Sequence, residues 1–144
     1  MAIDSEMLVN AARSVRTNAH ARYSNYFVGA AILDDSGNIH VGCNVENSSF
    51  SETSCAEANA IGAMVSSGYN KIVAIAIVGG LGDKDANTMF ENAGKIGTCT
   101  PCGGCRQRIL EFADESTQIM LVDDEGGVQV VGIDDLLPLA FRIE

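Results

Sequence analysis

The sequence predicts an α/β protein, a three-layer α/β/α sandwich on a mixed sheet of about five strands. Two short apolar runs, 72–78 and 119–122, read as buried strands. Helical segments with cap signals alternate with the strand segments, which calls for helices on both faces of the sheet. At 144 residues and 47% hydrophobic, the chain suits one domain, 1–144, around one core.

The first element is a helix from Ser5 to about Ala19, with Leu8, Ala11, Ala12 and Val15 on one stripe and Arg13 and Arg16 turned outward. A strand follows over Tyr23 to Leu33, its continuous apolar run predicting burial on both faces. Asp34-Asp35-Ser36-Gly37-Asn38 is a turn, and Ile39 to Val45 is the return strand. Ser54 reads as the N-cap of the next helix, with Cys55, Ala56 and Glu57 in its first positions and Gly68 at its end.

Lys71 to Val78 is a central strand, joined to the preceding one by a βαβ-like crossover. From Gly79 to Gly97 periodicity is lost, and a loop of that length is either a lid at a site or a surface insertion. Thr100 reads as a cap and Pro101 as the first residue of a second site helix. Strands at 118–122 and 127–131 flank the turn Asp123-Asp124-Glu125-Gly126, and a short helix from Asp134 stops at Pro138.

Two of these helix starts carry the chemistry. Cys55-x-Glu57 and Pro101-Cys102-x-x-Cys105 place three thiolates where a tetrahedral cation keeps one position for water, with a carboxylate beside it to carry protons. This spacing is similar to the three-cysteine form of the zinc-dependent nucleobase deaminase signature. Three plainer readings stand beside it. Glu57 follows Ser54 by three residues, as in a capping box. Cys43 sits in a strand as a small core residue. Cys99-x-x-Cys102-x-x-Cys105 resembles an iron–sulfur run, although Pro101 and the distant Cys55 favour zinc.

Charge and composition narrow the substrate. A net charge of −10, with no basic stripe interleaved with aromatics, repels polyanions and excludes a nucleic acid polymer, leaving a free small molecule. No run is long enough to span a bilayer. The first residues lack a basic start and apolar core, so a reducing cytoplasm is expected, and five cysteines cannot all pair within the chain.

Over nearly its whole length the chain closely resembles the small, zinc-dependent cytidine deaminases of nucleoside salvage. The resemblance is carried by Tyr23-Ser24-Asn25-Tyr26-Phe27-Val28-Gly29-Ala30-Ala31, Gly42-Cys43-Asn44-Val45-Glu46-Asn47, Cys55-Ala56-Glu57, Pro101-Cys102-Gly103-Gly104-Cys105-Arg106-Gln107 and Leu136-Leu137-Pro138-Leu139-Ala140-Phe141. It implies zinc on Cys55, Cys102 and Cys105, with Glu57 as the catalytic proton carrier. It implies Tyr26 near the base, Asn44 and Glu46 on the ribose hydroxyls, Phe141 reaching the substrate pocket from a neighbouring subunit and Phe50 near a subunit boundary, in a homotetramer whose sites are composite. The implied reaction is hydrolytic deamination of cytidine or deoxycytidine to uridine or deoxyuridine, with release of ammonia.

Two features depart from that pattern. Many members carry arginine directly after the glutamate, where this chain has Ala58, so Arg106 or the helix dipoles are expected to offset the excess thiolate charge. The segment from Gly79 to Gly97 is longer than the family leads one to expect. Both leave room for another nucleoside or an analogue such as blasticidin S. The rival from a different class is a structural zinc module, in which Cys99 or Cys43 closes the coordination sphere and Glu57 only caps.

Overall fold

The structure, a computed structural model, describes residues 2–82, 98–123 and 126–143. Helix α1 (Ser5–Arg16) starts where Asp4 accepts a hydrogen bond from the Met7 amide at 3.0 Å, and it buries Leu8, Val9 and Ala12. Strands β1 (Tyr26–Asp34) and β2 (Ile39–Cys43) form an antiparallel hairpin. After a 3₁₀ turn over Phe50–Glu52 come helix α2 (Ala56–Ser66), strand β3 (Ile72–Leu81), helix α3 (Gly103–Phe112), strands β4 (Gln118–Val122) and β5 (Val128–Val131), and the short helix α4 (Ile133–Leu136).

The five strands lie in the order β2-β1-β3-β4-β5. Only β3 and β4 are parallel, with α3 as their crossover, so the mixed sheet of the sequence reading is present. The crossover through α2 differs in one respect: β1 lies between β2 and β3 and pairs antiparallel with both. A hairpin uses only one edge of β1, and the next strand takes the other.

Alternation along the strands explains their unbroken apolar runs. Ala30, Ile32, Ile75, Ile77, Ile119 and Leu121 pack beneath α2, α3 and α4, while Ala31, Leu33, Ala74, Ala76, Met120 and Val122 pack against α1. With helices on both faces, neither side of a strand needs polar residues. Gly42 lets α2 approach β2, since a Cβ there would fall 2.3 Å from the Ala60 nitrogen. That approach sets where the Cys55 end of α2 stands.

Several boundaries differ from the sequence reading. α1 ends at Arg16, and Arg16 is not turned outward: Nε donates to the Phe27 carbonyl at 2.9 Å and Nη2 to the Leu81 carbonyl at 3.2 Å. β1 starts at Tyr26 because Asn25, at φ 55°, breaks the extended run. β3 continues through Leu81 and takes the first residues assigned to the long loop, the rest of which, 83–97, lies outside the described residues. Of the last turn, Asp124 and Glu125 also lie outside them. Buried Asp34 locks the first hairpin, accepting from the amides of Ser36 and Asn38 at 2.8 and 3.0 Å and lying 2.7 Å from His40 Nε2.

Candidate active site

α2 and α3 both begin at one place on the sheet face opposite α1. The N-cap residues are Cys55 and Cys102, not Ser54 and Thr100 as capping patterns suggest. Each cysteine has extended backbone and no side-chain cap bond, which leaves its sulfur free to face its counterpart. Ser54 is occupied elsewhere, accepting from Asn59 Nδ2 at 3.0 Å, and the same amide donates to the Cys43 carbonyl at 2.7 Å. Both helices present the positive ends of their dipoles to the cluster.

Cys55 and Cys102 bring their sulfurs to 4.0 Å, and the three sulfurs of Cys55, Cys102 and Cys105 lie within 4.8 Å of one another. A tetrahedral zinc bound at about 2.3 Å sets its sulfurs roughly 3.8 Å apart, so the cluster needs only slight contraction to hold the ion. The donors are all thiols, the soft set that selects zinc over the hard divalent cations. Cys105 is buried, Cys55 half-buried and Cys102 exposed, so one side of the cluster opens outward.

Cys99 and Cys43 do not join this group among the described residues. The Cys99 thiol instead hydrogen-bonds with Tyr26, and burial pushes it up. A Cβ at Gly79 would lie 2.5 Å from that sulfur and 3.1 Å from the Tyr26 hydroxyl, so the glycine makes room for the pair. This removes the iron–sulfur reading and leaves a structural zinc sphere without its fourth cysteine among the described residues.

Glu57 stands at the second position of α2 and is only 5% exposed. Burial pushes its carboxyl up, with the Cys55 charge acting the same way, while a hydrogen bond with Cys105 and the charge of Arg108 oppose the shift. The capping-box geometry is absent, because Ser54 is not the cap. A buried carboxyl with a raised pKa beside a metal cluster is suited to taking and giving protons.

Asn44 and Glu46 are both turned toward the start of β1. Asn44 Oδ1 accepts from the Val28 amide and Nδ2 donates to the Tyr26 carbonyl, each at 2.8 Å. Glu46 accepts from the Tyr23 and Ser24 amides at 2.9 and 3.1 Å and from the Ser24 hydroxyl, and these bonds outweigh its burial and lower its pKa. Phe50 and Phe141 are 73% and 71% exposed, so neither plugs the core. Phe50 meets the Tyr23 ring edge-on at 5.7 Å, and the Phe141 carbonyl accepts from Gln107 Nε2 on α3 at 3.1 Å.

Residues 2–121 match the family model of the cytidine and deoxycytidylate deaminase zinc-binding region. The chain belongs to that family. It is 37% identical over 142 residues to the cytidine deaminase of Sporosarcina psychrophila, spanning 99% of this chain and 94% of that protein. A second cytidine deaminase, from Halalkalibacterium halodurans, is 35% identical over 99% of this chain and 97% of its own. The crystal structure of cytidine deaminase from Burkholderia pseudomallei superposes with a TM-score of 0.82 at 35% identity, covering 96% of this chain and all of that one. The fold is thus the cytidine deaminase fold, and zinc is the cofactor that both the family and the three-cysteine group support.

The sequence reading missed one charged residue at this deaminase centre. Arg108 Nη1 lies 3.7 Å from Cys105 Sγ as a hydrogen-bond donor. Arg106, the expected counter-charge, is directed elsewhere, with Nε and Nη1 donating to the carbonyls of Pro101 and Leu136, each at 2.8 Å. Three-residue spacing from Cys105 along a helix was the available signal for Arg108.

Proposed function

We propose that this chain hydrolyses the exocyclic amine of cytidine or deoxycytidine, releasing ammonia and leaving uridine or deoxyuridine, as a step of pyrimidine salvage. The observation that carries the reading is the buried Glu57 carboxyl beside three convergent thiols that open on one side. Cys55, Cys102 and Cys105 would hold the zinc ion, which when bound supplies a Lewis acid that eases loss of a proton from water. Glu57 takes one proton from the attacking water and passes it to N3 of the cytosine ring, then takes the second from the hydroxyl added at C4 and delivers it to the departing amine, so that ammonia leaves and a C4 carbonyl remains. Its raised pKa suits both directions of transfer.

Asn44 holds the Tyr26 carbonyl and Glu46 holds Ser24, whose hydroxyl accepts from the Tyr26 amide, and the remaining lone pairs and amide hydrogen of Asn44 and Glu46 serve the sugar hydroxyls. A ligand lacking the sugar leaves these groups unpaired, at a cost of roughly 1–3 kcal/mol per group. Exposed Phe50, Leu139, Phe141 and Ile143 form apolar surface that a lone domain has no use for, which supports a homotetramer with composite sites.

Purified protein tested on cytidine, deoxycytidine, cytosine, adenosine and blasticidin S, with sedimentation of the same sample, checks both parts. The expected outcome is turnover of the two cytosine nucleosides well ahead of the others, by a tetramer. Faster turnover of cytosine or blasticidin S sinks the substrate assignment, and a fully active monomer sinks the composite site.

A further inference from the structure

We infer that Arg108 is the counter-charge of this chain's three-cysteine centre, a positioning residue whose guanidinium donates to the Cys105 sulfur and helps the centre keep its metal. The inference rests on the zinc-site reading given above, and it reaches a residue that the deaminase signature does not contain. Three thiolates outweigh a dication by one charge, and the Glu57 carboxylate next to them can add a second. An anionic centre set this deep needs a cation within hydrogen-bonding range or it binds its metal poorly.

Among the described residues, Arg108 is the cation whose side chain donates to a ligand sulfur, from Nη1 at 3.7 Å. Arg106 is excluded from the task by its two carbonyl partners, Pro101 and Leu136.

Local sequence builds this placement. Cys105 and Arg108 are three apart on α3, which stacks the arginine over the sulfur on one helix face. Gly104, four residues before Arg108, keeps that face open: a Cβ there would lie 3.1 Å from Nη1. On α2 the equivalent step from Cys55 reaches Ala58, which has no charge to offer. Among the described residues, the positively charged side chain that faces the centre therefore comes from α3.

The test uses the zinc-loaded protein and Arg108→Met, which keeps the stem and removes the charge. Arg108 is exposed, so the substitution leaves the core intact. Zinc release to a chromogenic chelator is followed at neutral pH, with the thermal midpoint of the metal-free form as a control. The guanidinium donates to the Cys105 sulfur and offsets the excess negative charge of the loaded centre, so its loss speeds release. The expected change is about 10- to 100-fold, with an unchanged metal-free midpoint.

Release at the wild-type rate overturns the inference. A fall of the metal-free midpoint that accounts for the faster release also overturns it, because Arg108 is then only a structural strut. Zinc release is read without any nucleoside, so a wild-type protein that deaminates nothing refutes the proposed function and leaves this result decisive on its own.

Discussion

The starts of α2 and α3 look alike in outline and differ in what they supply. Each opens with a cysteine at the N-cap in extended backbone, without a side-chain cap. Behind Cys55, α2 buries Ala56, Glu57 and Ala60 and presents an acid. Behind Cys102, α3 has two exposed glycines, then buried Cys105, and presents a base in Arg108. One helix start places a buried carboxyl at the cluster, and the other places two sulfurs there with a guanidinium beside one of them. The difference shows that a shared local geometry can divide a site's electrostatic work between two elements.

Removing the acid from α2 breaks this division most severely. Glu57→Gln retains shape and burial while deleting the titrating oxygen, so turnover is expected to fall by about 10²–10⁴-fold. Zinc content and thermal midpoint should stay near wild type, since the ligands and packing are untouched. Metal analysis and turnover of cytidine on the same preparation check this, and comparable activity in the variant would show that Glu57 is not the proton carrier.

A smaller effect separates the thiols of the two starts. In the metal-free protein, hydrogen bonds from Cys105 and then Cys102, with the charge of Arg108, bring the Cys55 thiol down to about 6 against its burial. Cys105 is pushed up, first by its hydrogen bond to Cys55, then by burial and by the neighbouring negative charges. A lowered thiol pKa means that Cys55 is mainly thiolate above about pH 6 and loses that form below it. Iodoacetamide should therefore label Cys55 well before Cys105 at pH 7, and labelling of Cys55 should slow as the pH drops below 6. Mass spectrometry of the alkylated peptides reads both, and equal rates at the two cysteines would contradict the assignment of α2 as the anionic partner.

The sequence made the sheet legible where burial dictated residue type. The runs in β1, β3 and β4 are apolar because helices cover both faces, and that pattern survives without knowledge of strand order. Strand order was not legible, since a hairpin leaves open which edge the next strand takes. The convergence of Cys55, Cys102 and Cys105, with buried Glu57 two residues after the first, was legible because metal chemistry calls for that spacing. Cap positions were misread: Ser54 and Thr100 have good capping side chains, yet the chain stays extended through the following cysteine so that each sulfur can reach the cluster. Arg16 and Arg108 were missed for a related reason. A lone arginine on a helix reads as a solvated charge, and nothing local reveals that one straps two strand ends while the other faces a sulfur.

The finest separation of local from electrostatic roles comes at Gly104. Alanine is the better helix former, and at an exposed helical position the exchange stabilises a fold by roughly 0.5–1 kcal/mol. In this chain the added Cβ would lie 3.1 Å from Arg108 Nη1, closer than comfortable contact, and the flexible guanidinium is what gives way. Displacement lengthens the bond to Cys105 without removing the charge, so only part of a charge-assisted hydrogen bond is lost. Gly104→Ala is thus expected to leave the metal-free thermal midpoint equal or higher while zinc release quickens by about two- to fivefold. The two readouts move in opposite directions, which no general loosening of α3 produces. A variant that gains stability and holds zinc as tightly as wild type would show that the glycine serves the helix start itself and not the arginine above it.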